Sequence, residues 1–518
     1  MKKLITKHYL IILGLVLTLP VILPLFRSDF FRMHDWLHVA RLVELDVALN
    51  AGQFPPRWAP DFGWGYGMPL FHFYPPLPYY LAQLLYLIKV PAVVSIKAIF
   101  GLNFLFGFYF TYLWAKESWG KLGGFISGLA FVYLPYRAVQ FYVRGSLAEL
   151  TSMTFIPLFF YSIKKKNTLL TALAITGIFL SHNVIALFAL IFIPIYYLFH
   201  LKSWRQFILS GFFAFGLSAF FILPAFFEKD LTVVSKLSGG YSHYSFHFIY
   251  LRQLFSRYFA YGGSILGPAD DISFQLGWPH LVLMLPAIAI FIKKRSLELF
   301  SLFTLLGISI FLMTFHSQFI WDKLALLHMA QFPWRLLTFS ASLIAFFSGS
   351  IIILIKSKKL KILLTAIIAL SIIGLNLSYF KPKEFSNPQD HYYTDRNLIK
   401  DNLGDILPDY LPKTAIKSES ISQKLFDLKQ TKYQFSSDQD QAHLINQFYF
   451  PSWQAKLNDQ NLELKPDQQT GLISFDLPAG DHQVNLKLAK TPLQRIADYI
   501  SLFSWILVLG IVLKPKFS

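Results

Sequence analysis

Long uncharged apolar runs return along nearly the whole chain, with short lysine-rich links between many of them. "YLIILGLVLTLPVILPLF" (9–26) is the first, and "ISLFSWILVLGIVL" (500–513) belongs to the last. A bilayer core about 30 Å thick takes roughly 20 apolar residues as a helix. In that medium every backbone polar group must be satisfied internally, which leaves helices for runs of this kind. Only 15% of the residues are charged and 54% are hydrophobic, whereas a soluble domain is about a quarter charged. The predicted fold class is therefore an α-helical multi-pass membrane protein. A cleaved signal peptide is the rival reading of the first run. The run is long, lacks a small-residue cleavage site and is followed by more spans, so a retained span is expected.

Twelve spans are expected, at about 9–26, 95–115, 121–136, 149–163, 168–182, 184–200, 206–227, 278–292, 297–314, 336–355, 361–379 and 497–513. With the N-terminus in the cytoplasm, the cytoplasmic pieces are "MKKLITKH", "KESWGK", "KKKN", "HLKSWR", "KKRS", "KSKKLK" and "KPKFS". They carry 19 Lys and Arg against Glu117 and Glu298, the positive-inside pattern. The formal net charge of +18 thus reports topology, and no nucleic-acid partner is expected. The apolar stretch Tyr74–Val90 is not counted, because counting it would put the later lysine links outside. Its prolines and tyrosines suit an interfacial or re-entrant helix. The chain has no cysteine, which excludes disulfides, thiolate metal sites and cysteine nucleophiles.

The expected division is a polytopic membrane domain, 1–380, with outer loops 27–94 and 228–277. A small extracytoplasmic β-rich domain, 381–492, follows, and 493–518 supplies the last span and a cytoplasmic tail. Segment 381–492 has 13 Lys and Arg and 15 Asp and Glu, so it is slightly acidic while the rest is strongly basic. The alternation in "GLISFDLPAG" and "HQVNLKLA" predicts a β-hairpin. In 228–277, "SFHFIYLRQLFSRYF" predicts an interfacial amphipathic helix.

The candidate chemistry collects on the outer side of these spans. "MHDWLHVARLVE" follows the first span and has helical spacing from Asp35 to about Asn50, with Trp36, Val39, Ala40, Val43 and Val47 on one face. His34, Asp35, His38 and Arg41 are expected on the other, along the membrane surface. A carboxylate partly desolvated there suits general-base chemistry; a solvated helix face is the bland alternative. His34 and His38 have metal-ligand spacing, but no third ligand follows in sequence. In "YVRGSLAEL", Arg144 offers fork donors for a phosphate and Glu149 is a candidate substrate-binding acid beside it, or else the two form an interfacial ion pair. His182 and Asn183 interrupt a long apolar run, as a hydrogen-bonded turn or as part of a site. Trp334 and Arg335, just outside a span, read as belt anchor and second anion ligand. Tyr74 and its neighbours in "DFGWGYGMPLFHFYPPLPYY" offer ring faces for sugars or lipid headgroups, and the glycine spacing is not that of a phosphate loop.

Taken in order, "HDWLHVARLVEL", "GQFPPRW", "GWGYGMPLFHFYPPLPYYLA", "YVRGSLAE", "LSHN" and "QFPWR" resemble the bacterial membrane family labelled "6-pyruvoyl-tetrahydropterin synthase-related". The tail "FYFPSWQAKL…LPAGDHQVNL" is of the type found there too. The soluble synthase's three-histidine zinc site is not matched, since His243 and His247 stand without a partner nearby. A first span, then a long outer loop with an acidic residue on its first helix, resembles the GT-C glycosyltransferases. That resemblance implies a sugar donor on polyprenyl phosphate, and an envelope glycan or lipid acceptor at the outer face of the cytoplasmic membrane. Asp35 would then be the base and His38 its orienting partner. Arg144 and Arg335 would bind the donor phosphate, and 381–492 would contact glycan. Histidines flank the acid in place of a second carboxylate, which weakens the case for a divalent cation without excluding one. The alternatives are a non-enzymatic transporter or flippase, or an assembly protein, for lipid-linked polysaccharide.

Overall fold

The computed structural model describes residues 2–236, 239–386, 390–403, 408–416, 422 and 424–513. The "KPKFS" end of the expected tail lies outside them. A helix occupies each of the twelve segments expected to span. Among the described residues, six helical stretches are long and apolar enough to cross a membrane: His8–Phe26, Ala92–Val132, Leu201–Phe227, Pro333–Leu354, Lys358–Tyr379 and Pro492–Leu513. Ala92–Val132 covers two expected spans and breaks at Gly120, whose φ of 74° leaves the helical region. Leu147–Lys164, Thr168–Ser181, Asn183–Leu198, Trp278–Lys294 and Leu297–Met313 are shorter, at 14 to 18 residues. Tyr74–Val90 supplies the 11-residue helix Leu77–Leu87. At about 1.5 Å per residue it is too short for the hydrocarbon core.

The chain forms two compact units. The first comprises Met1–Trp36, Lys97–Ala214 and Ser238–Asn387. Here the first helix is tied by tyrosine hydroxyls: Tyr133 donates to the Leu17 carbonyl at 2.7 Å and Tyr142 to that of Val21 at 2.6 Å. Phe30–Phe31 pairs antiparallel with Phe385–Ser386. The second unit comprises Leu37–Ile96, Phe215–Leu237 and Pro388–Ser518. Among the described residues it holds two antiparallel sheets. One has the strand order Lys432–Ser437, Gly480–Leu488, Trp453–Leu457, Gln460–Leu462; the other has Gln441–Phe448, Leu472–Leu477, Lys465–Pro466. The Phe435 ring of the first sheet meets Phe475 of the second at 5.2 Å.

Three local expectations are corrected. The "GLISFDL" and "HQVNLKL" strands exist but do not pair as a hairpin. Leu472–Leu477 pairs with Gln441–Phe448, while Gly480–Leu488 pairs with Lys432–Ser437 and Trp453–Leu457. Leu472–Leu477 is buried on both faces except at Asp476, and Gly480–Leu488 buries Val484 and Leu486. Two facing sheets cover both faces, whereas one hairpin would leave its apolar side open. The amphipathic helix expected in 228–277 reduces to Leu251–Phe255 and a short 3-10 turn, Tyr244–His247. Ring packing of Tyr244 on Trp321 and of His247 on Phe332 takes over the residues before it. Finally, the helix after the first span is His38–Asn50 and does not include Asp35. It is buried on most of its circumference, His38 and Arg41 included, so it is not a membrane-surface helix with a titratable outer face.

Candidate functional site

In the first unit, the reason Asp35 stays out of the helix is also what places it. The His34 N–H donates to the Val143 carbonyl at 3.0 Å, and the Asp35 N–H to that of Arg144 at 2.9 Å. This short extended segment lies against Gly145, whose φ is +61°. A Cβ there would stand 2.8 Å from the Asp35 carbonyl oxygen and overlap Met33. Glycine is required by both backbone angle and space. His34 is exposed, and its Nε2 lies 3.0 Å from the Tyr261 carbonyl.

Arg144 follows a π-turn, Val139–Val143, of the kind that often marks functional helices. Its guanidinium donates to Glu149 Oε2 at 2.7 Å and stacks over Trp334, 4.5 Å from the ring centroid. Glu149 is completely buried. Its Oε1 accepts from the Tyr136 hydroxyl, from Gln140 Nε2 at 3.0 Å and from Thr338 Oγ1 at 3.1 Å. Arg335 Nε stands 3.9 Å from Glu149 Oε2, and its Nη1 donates to the Ala330 carbonyl at 3.0 Å. Burial alone would lower the proton affinity of Arg144; the carboxylate of Glu149, which also accepts its hydrogen bond, and that of Asp35 outweigh it and hold the group above its ordinary value. His182 lies within electrostatic reach of Arg335, Glu149 and Arg144. It accepts the Ile185 N–H at 3.2 Å and so caps helix Asn183–Leu198, with Asn183 exposed beside it. Trp334 is buried, and among the described residues its indole N–H meets no acceptor.

The first unit thus gathers Asp35, Arg144, Glu149, His182, Trp334 and Arg335 from four stretches of sequence. Tyr136, Gln140 and Thr338 were missed. A signal existed: Tyr136, Gln140 and Arg144 recur every fourth residue, and Thr338 follows Arg335 by three, the spacings of one helix face. Glu149 is not a ligand-facing acid, because protein donors fill both its oxygens.

His38, Arg41 and Tyr74 belong to the second unit. His38 Nδ1 lies 2.8 Å from the Tyr79 hydroxyl, to which Arg41 Nη1 also donates at 3.2 Å. Arg41 donates to the Tyr74 hydroxyl at 3.1 Å and stacks on its ring at 4.3 Å. Tyr74 is half-buried and meets Tyr410 edge-on. Burial pushes the Asp409 carboxyl up, and the charge of Arg41 partly offsets it. The aromatic loop around Tyr74 is mostly used inward: Phe62, Trp64 and Phe71 are buried, and Trp64 packs on Phe448. Deeper lies a carboxyl pair. Arg396 holds both oxygens of Asp61 at 2.6 and 2.8 Å. The Asp61 N–H donates to Glu44 Oε2 at 3.0 Å. Among the described residues, no three His, Asp or Glu side chains stand together as a metal site needs, and His34 and His38 do not share a helix.

No protein-family model matches the chain. An uncharacterized protein of Lactococcus lactis subsp. cremoris (strain MG1363) is 26% identical over 246 residues, 43% of this chain and 40% of that protein. Among solved structures, the chain is similar to the arabinofuranosyltransferase AftD from mycobacteria. The TM-score is 0.46 and the identity 14%, over 74% of this chain and 28% of that one. It is also similar to the oligosaccharyltransferase of Archaeoglobus fulgidus in its apo form. There the TM-score is 0.47 and the identity 13%, over 76% of this chain and 58% of that one. The match spans less than two thirds of the length of each of these proteins.

Proposed function

We propose that this chain is a glycosyltransferase of the cytoplasmic membrane, taking a sugar from a polyprenyl-phosphate donor and passing it to an envelope glycan or lipid acceptor at the outer face. The observation that carries the reading is the gathering in the first unit of one carboxylate, Asp35, with two guanidiniums, Arg144 and Arg335, beside the unmet indole N–H of Trp334. In this reading Asp35 takes the proton from the acceptor hydroxyl as its oxygen attacks the anomeric carbon. The bond from that carbon to the phosphate oxygen breaks, its electron pair leaves with the phosphate, and the configuration inverts. Arg144 and Arg335 meet the charge that grows on the leaving oxygen. Glu149 keeps Arg144 in place, and a preorganised donor needs no rearrangement at the moment of reaction. His182 fixes the helix end next to Arg335. In the second unit, Arg41 braces Tyr74, whose half-exposed ring is the part open to a sugar face, and His38 holds the Tyr79 hydroxyl that Arg41 shares. The 381–492 segment is assigned to glycan contact on the extracytoplasmic side.

The competing reading is a transporter, flippase or assembly protein for the same lipid-linked material, and it needs no base. Asp35→Asn separates the two. The variant should accumulate in the membrane normally, still bind polyprenyl phosphate, and fail to extend the envelope glycan in cells lacking the native chain. Full transfer by Asp35→Asn would overturn the catalytic assignment.

A further inference from the structure

The segment 314–332 has an unusual exposure pattern. Phe315, Phe319, Leu324, Leu326 and Met329 are 47–57% exposed, whereas Trp321 and Leu327 are buried at 0% and 2%. The burial is anchored: the Trp321 indole N–H donates to the Leu312 carbonyl, in the last turn of helix Leu297–Met313, at 3.0 Å. A second strip joins it. The Ile249 N–H donates to the Met313 carbonyl at 2.9 Å, and the Tyr250 and Phe315 rings lie 5.9 Å apart. That strip adds Leu251 and Phe255, both about half exposed, on a short helix whose Leu254 faces inward. Two strips that bury one set of side chains and turn another set outward form a built face. The exposed apolar side chains stand among exposed His316, Gln318, Asp322 and Lys323, the mixture of apolar and polar groups that suits a membrane–water boundary.

We propose that this face lies in the bilayer boundary as an interfacial apron, its occupant being the lipid of one leaflet. Two features of the fold select lipid over a soluble partner. Thr314 follows the last residue of helix Leu297–Met313 directly, and Pro333 opens the apolar stretch Pro333–Leu354. Both ends of the segment are therefore tethered where apolar helices end, and Trp321 clamps its middle to the same place. The apron also continues an apolar surface: Phe300 and Phe311 on helix Leu297–Met313 are 43% and 40% exposed, as side chains facing hydrocarbon are. The inference concerns how the first unit meets the membrane, and it holds whether or not the chain transfers sugars.

The chain has no cysteine, so single nitroxide labels can be placed without background. Phe319→Cys, Leu326→Cys and Met329→Cys would each be labelled in the full-length protein, in vesicles of phosphatidylcholine and phosphatidylglycerol. Collision rates with oxygen and with a water-soluble nickel chelate are then compared. Gln460→Cys, on an exposed strand, is the aqueous reference, and Leu509→Cys, exposed on the last apolar helix, is the hydrocarbon reference. The oxygen-to-nickel ratio at the apron positions should exceed that at Gln460→Cys several-fold, toward the Leu509→Cys value. A ratio equal to that of Gln460→Cys overturns the proposal. So does protection from both reagents with dipolar broadening between labels, which would assign the face to a second copy. The three positions are independent, so loss of one variant to misfolding leaves two that decide.

Discussion

Gly145 is where the structure makes its sharpest demand on a single residue, and Gly145→Ala tests the placement of Asp35. The added Cβ would stand 2.1 Å from Met33 Sδ, 2.5 Å from Met33 Cγ and 2.8 Å from the Asp35 carbonyl oxygen. The left-handed backbone, φ +61°, costs an alanine about 1–2 kcal/mol. Relief of the backbone overlap pushes the 33–35 segment away from 143–145 and breaks its two main-chain hydrogen bonds, worth about 1 kcal/mol each. The expected destabilisation is therefore about 3–4 kcal/mol, read as a fall of several degrees in Tm in detergent. Transfer should drop on the order of 100-fold, because a displacement of about 1 Å costs that much when a reacting group is misplaced. Met33→Ala in the same chain removes the side-chain overlap but not the Asp35 carbonyl or the backbone angle, so less than half of the loss should return. An unchanged Tm with full activity in Gly145→Ala would refute this account of how Asp35 is held. Complete rescue by Met33→Ala would show that the Met33 side chain alone mattered.

Two further perturbations test the buried charges. Glu149→Gln keeps the shape of the acid but leaves Arg144, whose side chain is 11% exposed, without its counter-charge, and breaking one side of a buried pair costs about 3–5 kcal/mol; folded yield and Tm should both fall, and a variant as stable as wild type would sink the assigned positioning role. In the second unit, burial, with Asp61 beside it, pushes the Glu44 carboxyl well above its ordinary range. The folded state thus keeps a proton that the unfolded chain releases near pH 4, so this group's contribution is full below that pH and is lost as pH rises toward the folded value. Glu44→Gln has no proton to lose, and its Tm should fall less steeply than wild type over that window; identical slopes would show that Glu44 ionises freely in the fold.

What could be read from the sequence differs by the range of the interaction. The apolar runs were legible because a backbone in hydrocarbon has few solutions, and a helix stands at every expected span. The strands at 472–477 and 480–488 were legible as alternation, but their partners were not. The turn between them is two residues in either arrangement, and whether it closes a hairpin or crosses between sheets depends on which apolar face finds a cover. The helix after the first span shows the same limit. Its periodicity extends back to Asp35, yet carbonyls of Val143 and Arg144, more than a hundred residues on, take the N–H groups of His34 and Asp35. A helix pays nothing locally to lose those two groups, since the first four N–H groups of any helix lack intrahelical partners, so the distant carbonyls decide where it starts.

The same reasoning explains why the candidate residues were found singly and their roles were not. A charged or imidazole side chain at the end of an apolar run is conspicuous in sequence, so Asp35, Arg144, Glu149, His182 and Arg335 could each be picked out. Tyr136, Gln140 and Thr338 are ordinary residues whose meaning exists only once Glu149 is seen between them. With those donors absent, Glu149 looked like a ligand-facing acid. With them present, its oxygens are filled and its remaining effect is on Arg144, which it fixes by a 2.7 Å bond while Trp334 supports the guanidinium face. His38 and Arg41 changed roles for the opposite reason. Their helical spacing put them on a polar face assumed to be wet, but Tyr74 and Tyr79 supply hydroxyls enough to bury it. A polar helix face is exposed only when no other part of the chain brings partners to it, and single-sequence periodicity carries no information about those partners.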